Sequence, residues 1–210
     1  VYGRALATTA LSYAVLHHLG LLPDGLGTGP DGTRWADWLD LLVPWLVLAP
    51  AAWTMVAAET TRGTWLVFGM GALAYANGHG IHLAGNSVGN SVGNSVGNSV
   101  GNTAPGATAH LWDEVVGHAI WYAGVALLVG ALAATMRGRP RPPWIGYPLA
   151  LGVGLTWATN ALGGGPAVPA LALALAACWW GWRERTRLGV VLLVGFAPGA
   201  ALLVGAALAR

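Results

Sequence analysis

Apolar positions dominate this chain in long runs, and polar positions gather in the short segments between them. Seven runs stand out, at residues 5–22, 35–57, 64–83, 110–136, 144–162, 166–182 and 188–208. A helix rises about 1.5 Å per residue, so roughly twenty residues cross a hydrocarbon core of about 30 Å. Most of the runs have that length. The pattern predicts an all-α fold, a polytopic membrane helix bundle forming a single transmembrane domain over residues 1–210 with about seven transmembrane helices. Gly163, Gly164, Gly165 and Pro166 separate the fifth and sixth runs, and Pro169 interrupts the sixth. A re-entrant pair joined to five full spans is the alternative there. Pro44 and Pro50 are expected to kink the second span.

Composition supports the membrane reading. Apolar residues make up 55% of the chain and charged residues only 9%, against about 25% charged in soluble domains. Mean hydropathy is +0.58. Cys178 is the only cysteine, which excludes a disulfide scaffold. Every basic residue is arginine, the net charge is +2, and no stretch could track phosphates, so no nucleic-acid partner is expected. Membrane lipids are the expected surroundings. Of the twelve tryptophans, most lie near span ends, where indoles prefer the headgroup region. Trp112 and Trp121 differ because they neighbour a polar cluster.

Arginine placement sets an orientation. Arg4, Arg62, Arg137, Arg139, Arg141, Arg183, Arg185 and Arg187 all fall on one side if the spans alternate. Asp24, Asp31, Asp37 and Asp40 fall on the other, with Arg34 alone among them, and Arg210 after the last run also falls on that side. Positive segments stay in the cytoplasm. The N-terminus is therefore expected inside and the C-terminus outside, in a bacterial-type plasma membrane. The first run shows no small-x-small cleavage pattern, so it reads as a span rather than a removable signal.

Gly-Asn-Ser-Val occurs four times from Gly85 to Val100. It contains no acid and no glycosylation acceptor, and its composition suits a mobile linker. An external flexible loop is expected over about residues 85–109.

Ionisable groups inside spans are costly and mark function. Here they cluster at the external ends of the third and fourth spans. At about 100° per residue, His79, His82 and Asn86 lie within about 60° of one another on one helix face. His110, Asp113, Glu114 and His118 form a second polar stripe, and Gly117 beside them would let the neighbouring helix approach. Imidazole and carboxylate are ordinary ligands of zinc and other first-row metals. The expected metal ligands are His79, His82, His110, Asp113 and His118, holding a divalent ion, zinc first, with iron or manganese as alternatives. Glu114 would serve as general base and Asn86 would orient a substrate. His17 or His18 could complete the set. Hydrogen-bonded packing within the cluster, an ion pathway and haem ligation are the other uses open to these residues.

The external grouping of histidines with an acid resembles the membrane-embedded zinc amidases related to alkaline ceramidases. The seventh span here has no histidine, however, where those proteins draw a pair from a late span. His82-Leu-Ala-Gly-Asn86 is similar to the His-x-x-x-Asn motif of prenyl-protein endopeptidases, whose Glu-Glu-x-x-x-Arg box is absent. The His/Asp/Glu constellation itself leads to the expectation of a metal-dependent hydrolase of lipid-like amides or esters with its site on the external side. A proton- or divalent-ion-coupled transporter, or an accessory membrane subunit, is the alternative.

Overall fold

The computed structural model describes residues 1–19, 22–96, 104–139, 143–163, 166–184 and 186–209. All long elements among them are helical. Helix α1 (Tyr2–Leu16) ends at the His17–His18 turn. Two short 3-10 turns follow, Pro23–Leu26 and Pro30–Gly32, each opened by a proline whose φ suits a first turn. Arg34 then precedes α2 (Trp35–Asp40), and the Asp37 carboxylate in the first turn accepts from the Arg34 backbone N–H at 3.3 Å and from its guanidinium at 2.7 Å. The chain turns at Leu41 and Leu42 and resumes as α3 (Val43–Ala57), with Pro44 in the first turn. The expected second span is thus two helices in line, broken before Pro44, and Pro50 lies inside α3.

Helix α4 (Arg62–Val96) is the longest. It corrects the expected loop, because the backbone stays helical through Val96 and helix resumes in α5 (Ala104–His110). A four-residue repeat is close to the 3.6-residue helical turn, so it can extend a helix already nucleated. Residues 97–103 of that loop lie outside the described residues. Next come a π-helical segment, Leu111–Gly117, and α6 (His118–Met136). Helices α7 (Gly146–Gly163), α8 (Ala167–Glu184) and α9 (Arg187–Leu208) complete the chain.

Three helical stretches among the described residues are long and apolar enough to cross a membrane: Trp35–Ala57, Ala104–Met136 and Arg187–Leu208. The structure does not establish seven spans. In α4 the stretch containing Asn77, His79 and His82 lowers the apolarity, as do the glycines, Tyr147, Pro148 and Asn160 in α7 and the tryptophans with Arg183 and Glu184 in α8. Large apolar side chains are nonetheless turned outward, among them Trp45, Leu66, Leu73 and Val168. A surface of that kind suits lipid better than water.

Two polar ends bracket the bundle. At one, an Arg139 N–H donates to the Ala58 carbonyl at 2.7 Å and its guanidinium lies over the Tyr2 ring. Arg137 pairs with Glu184 there at 2.5 Å. The start of α1 and the ends of α3, α6 and α8 therefore meet, as alternating helices require. At the other end sit the histidines.

Packing is closest between α4 and α6, between α7 and α9, and between α8 and α9. A Cβ on Gly78 would collide with the Trp121 backbone, and one on Gly124 with that of Tyr75. Small residues that let backbones touch are the usual device of helix pairs in lipid. Gly71 and Gly117 share this seam, whereas Gly69 and Gly130 face open space. Gly78→Val is expected to cost about 1–3 kcal/mol by overpacking, read as a lowered unfolding midpoint in detergent. Gly69→Ala should leave that midpoint unchanged, and equal effects of the two would remove the seam from this account.

Candidate metal centre

Helical-wheel geometry puts Asp113 and His118 about 140° apart on a regular α-helix. The π-helical segment changes that register. Its ladder joins residues five apart, and Asp113 and His118 are five apart. The His118 Nδ1–H donates to the Asp113 carbonyl at 2.8 Å, while the His82 Nδ1–H donates to the Asp113 carboxylate from α4. One ligand atom from each of His82, Asp113 and His118 lies within 4.8 Å of the other two. Asp113 and His118 are buried and His82 is half-buried. Gly117 makes the approach feasible, since a Cβ there would lie 2.8 Å from the His82 backbone nitrogen.

Because its Nδ1 carries the proton, His118 keeps the Nε2 lone pair free. Such an outer hydrogen bond fixes the tautomer of metal-binding histidines. Glu114 lies beside the group, one carboxylate oxygen 3.8 Å from His118 Nδ1.

The remaining expected residues are placed differently. His79 is buried, and its Nε2–H donates to the Asp40 carbonyl at 3.0 Å with the Asp40 carboxylate 3.6 Å away. It stands outside the compact triad, its ring centroid 6.4 Å from that of His82. His110, on α5, is exposed and not part of the triad. Asn86 is half-buried near the end of the described α4 side chains. His17 does not complete the set either. Its Nδ1–H donates to the Tyr13 carbonyl at 2.9 Å and its Nε2 accepts from the Tyr75 hydroxyl at 2.8 Å, which uses both nitrogens. His18 Nε2 is 3.2 Å from the Thr156 hydroxyl.

Trp121 is the hub that the sequence marked only by its neighbourhood. Its ring centroid lies 5.3–5.5 Å from those of His17, His79, His82 and His118. Trp112, by contrast, is exposed. Two buried polar atoms in this layer have no partner among the described residues, His79 Nδ1 and the Trp121 indole N–H. A buried polar atom without a partner marks a place where water or a ligand group belongs. Here they are one acceptor and one donor, on rings whose centroids lie 5.3 Å apart.

No protein-family model matches the chain, and no curated protein or solved structure matches it either. The chemistry therefore rests on the geometry above. That geometry fixes three tautomers. In protein labelled with 15N histidine, His17 and His118 should carry their proton on Nδ1 and His79 on Nε2. A His118 protonated on Nε2 alone would show that its ring is turned away from the ligand role.

Proposed function

We propose that this chain is a multi-pass membrane protein that binds a divalent metal through His82, Asp113 and His118. The carrying observation is the convergence of these three ligand atoms from two helices, with the His118 lone pair oriented by its own Nδ1–H bond. Two imidazoles and a carboxylate are a donor set that zinc accepts, and that iron and manganese accept as well. Three protein ligands leave a coordination position open, as catalytic sites do and closed structural sites do not.

The arrangement suits hydrolysis of an amide or ester in a lipid-like molecule. A metal at the triad would supply Lewis acidity and lower the pKa of water towards 7. Glu114, with a carboxylate oxygen 3.8 Å from His118 Nδ1, would be placed to accept the proton. His79 Nδ1 and the Trp121 indole N–H offer an acceptor and a donor to the polar part of the substrate. Asn86, four residues beyond His82, is the remaining orienting group. The arginine pattern puts the Arg137 and Arg139 end in the cytoplasm, so the site faces the external side of the plasma membrane.

Elemental mass spectrometry on detergent-purified protein tests the metal. Wild type should carry close to one zinc, iron or manganese per chain, and the His82→Ala/His118→Ala double variant should lose it. A folded wild type without metal, prepared without chelator, would overturn the proposal. Glu114→Gln should keep the metal yet lose turnover of amide- and ester-linked lipid probes by a factor of about 100 or more. Full activity in that variant would take the general-base role from Glu114.

A further inference from the structure

A cavity of about 360 Å3 lies between α1, α3, α6, α7 and α9, away from the metal triad. Its volume is within the range of small-molecule sites, roughly 300–1,000 Å3. Leu128, Val153, Leu192 and Phe196 represent its wall, which is aliphatic and aromatic along its length. Thr9 also lines it, but the hydroxyl donates to the Ala5 carbonyl at 2.9 Å and is thereby engaged. Charge enters the described lining only as Arg139 and Arg187, and no carboxylate accompanies them. At the histidine end the lining includes Tyr13 and Tyr75, and the Tyr75 hydroxyl is already bonded to His17.

Water is a poor filler for such a space, because a buried water needs two to four polar partners. The cavity is partly open to the surroundings, and left unfilled its lining would forfeit van der Waals contacts. A hydrocarbon chain fits both constraints, and the two arginines fit an acidic head. Arg139 uses one donor on Ala58 and leaves others available, since a guanidinium carries five. Arg187 is exposed and opens α9, so the positive end of that helix adds to the attraction. We propose that this cavity binds one acyl chain of an anionic amphiphile, with its carboxylate or phosphate held by Arg139 and Arg187. The ring layer of His17 and Trp121 lies between the Tyr75 end of the cavity and the triad. The inference does not depend on a metal being bound.

Native mass spectrometry of delipidated protein in detergent provides the test, with palmitate, phosphatidylglycerol and hexadecanol as separate probes. One palmitate or one phosphatidylglycerol should be retained per chain, with hexadecanol bound about tenfold more weakly, the scale of a charge-assisted hydrogen bond. Retention of palmitate alone identifies a free fatty acid as the source. Retention of phosphatidylglycerol identifies a membrane phospholipid. Arg187→Gln should erase the preference for the acidic probes, and Val153→Trp should remove all three by filling the space. Equal binding of hexadecanol and palmitate, unaffected by Arg187→Gln, would overturn the proposal, as would no adduct on folded protein. If Val153→Trp does not fold, the exposed Arg187 variant still decides.

Discussion

Direct backbone contact between α4 and α6 is the constraint on which the rest of this structure depends. In lipid, helices gain little from hiding apolar surface, because the surrounding chains are equally apolar. Association must come from close van der Waals packing and from polar pairs. Glycines supply the first: Gly78 lies against Trp121, Gly124 against Tyr75, Gly117 against His82 and Gly85 against Asp113. Each glycine weakens its own helix by about 1 kcal/mol relative to alanine, a cost offset by the contact it permits. Three of the four touch residues of the histidine layer, so the seam that holds the pair also sets the depth at which the triad forms.

The π-helical segment makes a second, local adjustment. It interrupts a chain that would otherwise be regular from Ala104 to Met136, and interruptions of this kind recur at functional sites. Its effect can be stated residue by residue. Asp113 reaches His82 through its carboxylate and His118 through its carbonyl, so one residue links both imidazoles. A regular helix would have paired His118 with Glu114 instead. With the π register, Glu114 is left adjacent to the group and partly open to its surroundings.

The sequence showed the helical class, the boundaries of most long helices and the three triad residues, because periodicity and local spacing carry those directly. Of the seven apolar stretches it marks, three have both the length and the apolarity to span among the described residues. The repeat after Gly85 was read as a loop on composition, yet its period lets α4 continue to Val96. His110 illustrates a different limit. It shares a stripe with Asp113 only on a wheel of constant pitch, and the π segment begins immediately after it. The Asp40–His79 bond joins residues 39 positions apart, and no local pattern announces such a contact. The same holds for Trp121, whose role comes from four histidines that converge on it from three different helical regions.

One buried layer therefore has to serve two neighbours of opposite character. On one side of Trp121 lie imidazoles and carboxylates that need polar partners. On the other, Tyr13 and Tyr75 lead into an apolar cavity. Tyrosine suits that boundary because its ring faces hydrocarbon while its hydroxyl reaches a polar atom. Tyr75 does both: its ring lines the cavity and its hydroxyl donates to His17. His17 in turn uses both nitrogens and lays its ring on Trp121, the planes inclined by 19°. The histidine that looked from its position like a further ligand is better understood as part of the wall that keeps the two compartments apart.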